Sequence, residues 1–170
     1  MPELMIVTGI LLILFSIAIP SIQGVLQSYR LSGDARGIAA QIHLARMRAA
    51  SGFTKAEVNF DTTANTYQVN VWSKAASAYQ AEGGAQLLSH GDVFGYGSLT
   101  TPAGGQTAIA QTTQIIFNSR GFSVDGSGNV TGNSVVYFTN NSGSYGAVAV
   151  SPAGQPTVWN YRGNAWVQQW

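Results

Sequence analysis

The most constraining feature of this chain is an uncharged, mostly apolar run near its start. No charged residue occurs from Leu4 to Tyr29. A helix of that length would span about 39 Å, which exceeds the roughly 30 Å hydrocarbon core of a bilayer. An amphipathic pattern follows the run instead of a small-residue cleavage site, so the run differs from a secretory signal that is removed. We therefore predict a membrane-spanning helix over residues 1–29 that stays on the protein.

The predicted anchor has one ionisable side chain beside it, the Glu3 carboxylate. Burial of a carboxylate without a cation is costly, so we expect Glu3 to meet a cation when the helix is buried. Pro20 removes a backbone hydrogen bond, and we expect it to kink the helix. The apolar side chains assigned to the anchor are Leu4, Ile6, Val7, Ile10, Leu11, Leu14, Phe15 and Ile19.

Composition indicates that residues 30–170 form one β-rich domain outside the cytoplasm. Charged residues make up 9% of the chain, far below the roughly 25% of an average protein. The net charge of +1 excludes a global basic field that would attract nucleic acid, and the absence of Cys excludes disulfides and thiolate ligands.

The region after the anchor predicts an amphipathic helix over residues 30–51. Its apolar residues recur at helical spacing and should pack against a sheet. They are Leu31, Ala35, Ile38, Ile42, Ala45 and Ala49. Gly52 is a suitable stop for this helix.

Residues 55–170 predict an antiparallel sheet region. Polar and apolar residues alternate over residues 55–60 and 67–71, which predicts a half-buried hairpin. Further strands are predicted at residues 114–117, 134–139, 146–151 and 156–161. Residues 73–114 lack clear periodicity, and we expect a long connection there with at most a short strand around Leu87.

The start of the chain resembles the signature of the type IV pilin-like family. Glu3, Leu4, the apolar run and a helix-kinking Pro20 all match it. The resemblance implies that a prepilin peptidase cleaves ahead of the mature N-terminus, which is then methylated. It also implies that Glu3 pairs with the N-terminal amine of a neighbouring subunit. The peptidase site is absent ahead of Met1, so we expect the gene to extend upstream.

Two further patterns are similar to one branch of this family, the H-type minor pseudopilins and FimT-like minor pilins (GspH/FimT-like). They are Leu-Ala-Arg-x-x-Ala, from Leu44 to Ala49, and Ile-x-Phe-x-x-x-Gly, from Ile115 to Gly121. This resemblance implies an α+β, pilin-like fold in which a long kinked helix packs on an antiparallel β-sheet domain.

The function that the resemblance implies is that of a minor pseudopilin, which assembles through its N-terminal helix into a periplasmic pseudopilus for type II secretion. Implied partners are other pilin-like subunits, the prepilin peptidase and an inner-membrane assembly platform. The implied location is the bacterial inner membrane, crossed once, with the C-terminal domain in the periplasm. The alternative is a FimT-type minor subunit of a type IV pilus, involved in pilus assembly or DNA uptake.

Catalytic and metal-binding patterns are weak, and we predict neither enzyme activity, nor a cofactor, nor a metal site. Residues 89–92 combine Ser, His and Asp, but they lack an oxyanion loop and favour a turn. Asp125, Ser127 and Asn129 have the spacing of calcium-loop oxygens, yet the missing bidentate Glu favours a hairpin turn. The glycine pairs at 83–84 and 104–105 are interpreted as flexible loops.

A cluster of aromatic residues near the C-terminus offers a candidate nucleic-acid contact. Arg162 and Trp166 could hold a phosphate and stack on a base. One arginine supplies little of the salt-dependent attraction that such binding requires. We therefore predict that these aromatic residues close the sheet, and we favour this interpretation over a nucleic-acid partner.

Overall fold

A computed structural model describes residues 2–140 and 142–169, without the side chains of residues 2–5, 15 and 17–21. Helix α1 spans Pro2–Ser51 without interruption. At 1.5 Å per residue it is about 75 Å long. The predicted kink at Pro20 stays a prediction, because that side chain lies outside the described residues.

In the described residues, ten strands form two five-stranded antiparallel sheets. The first sheet has the strand order β3-β2-β1-β5-β6 and the second has the order β10-β9-β8-β7-β4. The strand bounds are β1 Ala56–Asp61, β2 Thr66–Ser73, β3 Ala78–Leu87, β4 Asp92–Phe94, β5 Gln114–Phe117, β6 Ser123–Val124, β7 Ser134–Asn140, β8 Tyr145–Val150, β9 Pro156–Arg162 and β10 Ala165–Gln169.

Most of the predicted sheet region is confirmed. Strands β1 and β2 form the expected hairpin, in which Val58 pairs with Val69. Strands β5, β7, β8 and β9 occur at the predicted positions, to within one residue at each end. The α+β fold class, with a helix packed on antiparallel strands, is also confirmed. The sequence did not predict the division into two sheets.

The prediction of a long connection over residues 73–114 is wrong for its first part. Strand β3 occupies Ala78–Leu87 there and pairs with β2. This strand lies at the edge of the first sheet and most of its side chains are exposed. An exposed edge strand needs no apolar alternation, so periodicity could not detect it. Gly83 and Gly84 lie within β3, where the register shifts, and not in a flexible loop.

The main core lies between α1 and the inner faces of the two sheets. The predicted helix stripe is confirmed, since Leu31 is 5% exposed and the other five members are fully buried. They pack with residues of both sheets, including Val58, Phe60, Val69, Phe117, Val136, Phe138 and Val148. Gly37 lets the helix approach closely, because a Cβ there would lie 2.8 Å from the Tyr67 hydroxyl.

The second sheet is covered on its outer face as well. Residues 95–113 run over that face as an irregular segment, and a second apolar cluster forms around Tyr137, Ala147 and Ala103. The Tyr137 hydroxyl accepts a hydrogen bond from the Ala103 N–H at 2.9 Å and lies 2.6 Å from Gln106 Oε1. This segment is therefore fastened to the sheet rather than free in solution.

Candidate assembly surface

The N-terminal half of α1, defined as residues 2–30, carries a large exposed apolar surface. Leu11, Leu12, Ile13 and Leu14 are consecutive, and each is between 45% and 70% exposed. Successive helical residues are about 100° apart, so these four side chains point around the whole circumference. The other large exposed residues here are Ile6, Val7, Ile10, Ile22, Val25, Leu26 and Tyr29. A helix that is apolar on all sides requires an apolar environment or protein partners.

In the C-terminal half of α1, residues 31–51, the large apolar side chains of the stripe are buried instead of exposed. Tyr29 is 74% exposed, whereas Leu31 is 5% exposed and begins the buried stripe. The boundary between the two halves therefore lies within one turn of the helix.

No helix in the described part of the chain is long and apolar enough to cross a membrane. Of the residues assigned to the anchor, Ile6, Val7, Ile10, Leu11 and Leu14 are exposed. The side chains of Glu3, Leu4, Phe15 and Ile19 lie outside the described residues. The anchor and the role of Glu3 stay predictions.

A carboxylate cluster links α1 to the second sheet just beyond the boundary. Ser89 donates its backbone N–H and its hydroxyl to the two carboxylate oxygens of Asp34, each at 2.8 Å. Asp92 Oδ2 is buried and has no hydrogen-bond partner within the described residues. Burial, and then the neighbouring Asp34, raise the pKa of Asp92 to about 7, while Arg30 opposes the shift. A protonated Asp92 can donate to Asp34, which accounts for both observations.

The sequence predicted a turn at residues 89–92, and the structure confirms it, since the Asp92 N–H donates to the Ser89 carbonyl at 2.9 Å. It did not predict the pairing of Ser89 with Asp34. Those two residues are 55 positions apart, and no local pattern indicates that they meet.

The hairpin turn predicted around Asp125 is also confirmed. The backbone N–H groups of Ser127 and Asn129 both donate to Asp125 Oδ1 at 2.9 Å. These and other donors of the same turn lower the pKa of Asp125.

The two branch-specific sequence patterns meet in space. Arg46, of the Leu-Ala-Arg pattern, donates through Nε to the Gly121 carbonyl, of the Ile-x-Phe pattern, at 3.1 Å. Gly121 has a φ of 78°. Gly154 packs against the same carbonyl so closely that a Cβ there would clash with it. These residues therefore hold the helix end against the β5–β6 turn and the β8–β9 turn.

The structure does not bring Arg162 and Trp166 together on one surface. Trp166 of β10 lies directly opposite Tyr161 of β9 in the sheet, so both side chains are on the outer face. The Trp166 Nε1 donates a hydrogen bond to the Thr101 carbonyl at 2.8 Å on that face. Arg162 follows Tyr161 in β9, so it points to the opposite face, where it lines a shallow cavity beside Ser28 and Ser32 of α1. Trp170 lies outside the described residues.

Two solved structures of a minor pseudopilin are similar to this fold. Both are EpsH from the type 2 secretion system of Vibrio cholerae. One has a TM-score of 0.53 and 11% identity, and the match covers 80% of this chain and 99% of that chain. The other has a TM-score of 0.55 and 11% identity, with coverage of 78% and 94%. At this identity the likeness shows the fold alone.

A comparison with curated proteins finds no significant match. The family model described as type II transport protein GspH matches residues 34–154, which is well over half of the chain. The matched region contains most of the buried half of α1, the contact between Arg46 and Gly121, the first sheet, and strands β4, β7 and β8 of the second. The chain belongs to the GspH family of type II transport proteins.

Proposed function

We propose that this chain is a minor pseudopilin of a type II secretion system, which assembles through the N-terminal half of α1 into a periplasmic pseudopilus. The observation that carries the proposal is the exposed apolar half-helix, which projects from a folded domain of the GspH family. Members of this family are structural subunits and not enzymes, and the chain is one of them.

The proposed mechanism moves one apolar surface between two apolar environments. Before assembly, the N-terminal half of α1 is held in the inner membrane, with the domain in the periplasm. During assembly it leaves the lipid and packs among the equivalent helices of other pilin-like subunits. The Glu3 carboxylate then meets the N-terminal amine of a neighbour, which offsets the cost of its burial. Processing by a prepilin peptidase and delivery by an inner-membrane platform belong to the same proposal.

The continuity of α1 supports this mechanism. The same helix carries the exposed apolar side chains and, from Leu31 to Ala49, the buried stripe of the domain. The junction is reinforced by the two hydrogen bonds from Ser89 to Asp34. A displacement of the N-terminal half would therefore be passed to the sheets through packed side chains instead of through a linker.

Export of proteins in the native bacterium tests the proposal. Deletion of the gene should leave the exported proteins in the periplasm, and the wild-type gene should restore export. The variant Leu14→Asp should fail to restore it, because a charge would have to enter lipid or the filament core. Leu87→Asp is the matched control, since Leu87 is also an exposed leucine but lies on β3, at 69% exposure against 58% for Leu14. Full export by Leu14→Asp would contradict the proposal.

A further inference from the structure

The outer face of the first sheet contains a groove that the proposed assembly surface does not use. Its cavity volume is about 690 Å³. That volume lies within the range of about 300 to 1,000 Å³ that is common for ligand sites. Its apolar lining consists of Phe53, Trp72, Tyr79 and Ile116, and two cations, Lys55 and Lys74, also line it.

The floor of the groove is held in place by short contacts. The rings of Trp72 and Tyr79 pack edge to face, with their centroids 5.1 Å apart. The backbone N–H of Trp72 donates to the Lys55 carbonyl at 2.8 Å, and the Thr54 hydroxyl donates to the backbone carbonyl of Trp72 at 3.1 Å. A pre-organised aromatic floor of this kind reduces the entropy that a ligand must overcome on binding.

Phe53 adds an exposed aromatic ring beside this floor. It is 80% exposed, the largest exposure among the described large apolar residues. Its φ of 46° is left-handed, because Phe53 follows the last turn of α1 and closes it. The Phe53 backbone N–H donates to the Ala50 carbonyl at 3.4 Å, and the Thr54 backbone N–H donates to the Ala49 carbonyl at 3.1 Å. The helix end therefore fixes the position of this exposed ring beside the groove.

The two charged side chains that line the groove are both cationic and can contact the carboxylates of a ligand directly. Lys55 and Lys74 are exposed, and none of the described lining residues is acidic. Glu57 lies on the same face of the sheet, but it is 4% exposed and accepts hydrogen bonds from Asn70 at 3.0 Å and Gln114 at 2.7 Å. Asp125, next to the lining residue Gly126, is engaged by the N–H groups of its own turn.

We propose that this groove binds an extended segment of a partner protein that carries acidic residues between aromatic or large aliphatic ones. The three aromatic side chains would take the apolar residues, as buried aromatic anchors do in protein interfaces, and the two lysines would select the acidic ones. The groove lies on the first sheet and not on the N-terminal half of α1, so the segment could bind while the helix is engaged. The inference goes beyond the proposed function and does not depend on it.

Binding of short peptides to the full chain in detergent micelles tests this inference by titration calorimetry. The acidic probe is the tetrapeptide acetyl-Asp-Phe-Glu-Phe-amide, and its neutral counterpart is acetyl-Asn-Phe-Gln-Phe-amide. The acidic probe should bind about tenfold more tightly at low salt, and the difference should shrink at high salt, because exposed charges are screened. Equal affinity for the two probes, or no binding of the acidic one, would overturn the proposal.

Matched variants show whether the binding occurs in the groove. Replacement of both lysines, Lys55→Gln and Lys74→Gln, should remove the tenfold preference, whereas Arg162→Gln, on the other sheet, should leave it unchanged.

Trp72→Ala should lower the affinity for both peptides about equally, provided that the melting temperature of this variant stays close to that of the wild type. If Trp72→Ala unfolds the domain, Phe53→Ala serves instead, because an 80% exposed ring is not part of the core. A preference that survives the lysine replacements, or tighter binding of single-stranded DNA than of the acidic probe, would contradict the proposal.

Discussion

The two halves of α1 share one helix but have opposite surroundings. In the C-terminal half, Ile38 and Ile42 are fully buried against the sheets. In the N-terminal half, Ile10 and Ile13 are 55% and 63% exposed. The side chains are chemically the same, so the difference lies in what covers them. The buried isoleucines stabilise the domain, while the exposed ones are available to another apolar partner.

This comparison separates folding from assembly within one secondary-structure element. Burial of an isoleucine side chain is worth roughly 1.5 to 3 kcal/mol, and the domain gains this from Ile38 but not from Ile13. In the proposed function, the N-terminal half gains the same kind of free energy in lipid or in a filament. Substitutions in the two halves should therefore change different measurements.

The largest expected effect comes from Glu3→Ala. If Glu3 meets the N-terminal amine of a neighbour, its removal should abolish incorporation into filaments while the melting temperature of the domain stays unchanged. Incorporation is measured by the fraction of the variant that can be chemically cross-linked to other pilin-like subunits in the native bacterium. The isosteric Glu3→Gln keeps the size and loses the charge, so it should fail in the same way. Normal incorporation of Glu3→Gln would refute a charge-based role.

Two isoleucine substitutions, one in each half of α1, test whether only the C-terminal half contributes to the free energy of unfolding. Ile38→Ala should lower the free energy of unfolding by about 2 to 5 kcal/mol, because it leaves a cavity in the main core. Ile13→Ala is the matched control and should change it by less than about 0.5 kcal/mol. Chemical denaturation of the full chain in detergent, followed by circular dichroism, gives both values. Similar losses for the two variants would show that the halves are not energetically distinct.

The sequence predicts which residues of the C-terminal half of α1 are buried, but not which residues of the sheets and loops they contact. The spacing of Leu31, Ala35 and Ile38 predicts the buried face directly, because apolar residues at helical spacing need a partner surface. The pairing of Asp34 with Ser89 could not be predicted, since it depends on the β4 strand, which lacks a strong pattern of its own. The groove on the first sheet was missed for a similar reason, because β3 supplies Tyr79 and is an exposed edge strand.

A smaller effect is expected at Gly37, where the helix approaches β2. Gly37→Ala gains helix propensity of about 1 kcal/mol, but the new Cβ would lie 2.8 Å from the Tyr67 hydroxyl. Tyr67 is buried and its ring packs near Phe60 and Phe94, so it has little room to move. We expect a net destabilisation of about 1 kcal/mol.

The double variant Gly37→Ala with Tyr67→Phe separates these two contributions. Without the hydroxyl, the added methyl should stabilise the domain by about 0.4 to 1 kcal/mol relative to Tyr67→Phe alone, through helix propensity. The same penalty in both backgrounds would show that the hydroxyl is not the cause.

The pH dependence of stability tests the junction between the halves. The folded pKa of Asp92 is raised to about 7, above its ordinary value. Below about pH 4 this carboxyl is protonated in both states, and the shift has no consequence. Between about pH 4 and pH 7 the unfolded state has lost the proton while the folded state still holds it, so the domain should become less stable as the pH rises through this range.

Melting temperatures at pH 5 and pH 8 check this sign, with the higher value expected at pH 5. Asp92→Asn should reduce the difference, because amide and protonated carboxyl are close in shape. Asp61→Asn is the control, since hydrogen bonds from Ala64 and Thr63 lower the pKa of Asp61, so this carboxyl is ionised in both states at pH 5 and at pH 8 and should not affect the difference. A difference that is the same in the wild type and Asp92→Asn would exclude Asp92 as its source.

Cysteine cross-linking in the native bacterium tests the central claim most directly, because the chain has no native cysteine. Leu14→Cys places one thiol on the exposed half of α1, and Leu87→Cys places one on β3 as the control. With a short bismaleimide and a partner pilin-like subunit that carries a cysteine at the equivalent helix position, Leu14→Cys should give a covalent heterodimer and Leu87→Cys should not. An absent adduct at Leu14→Cys, or equal adducts at the two positions, would contradict assembly through the N-terminal half of α1.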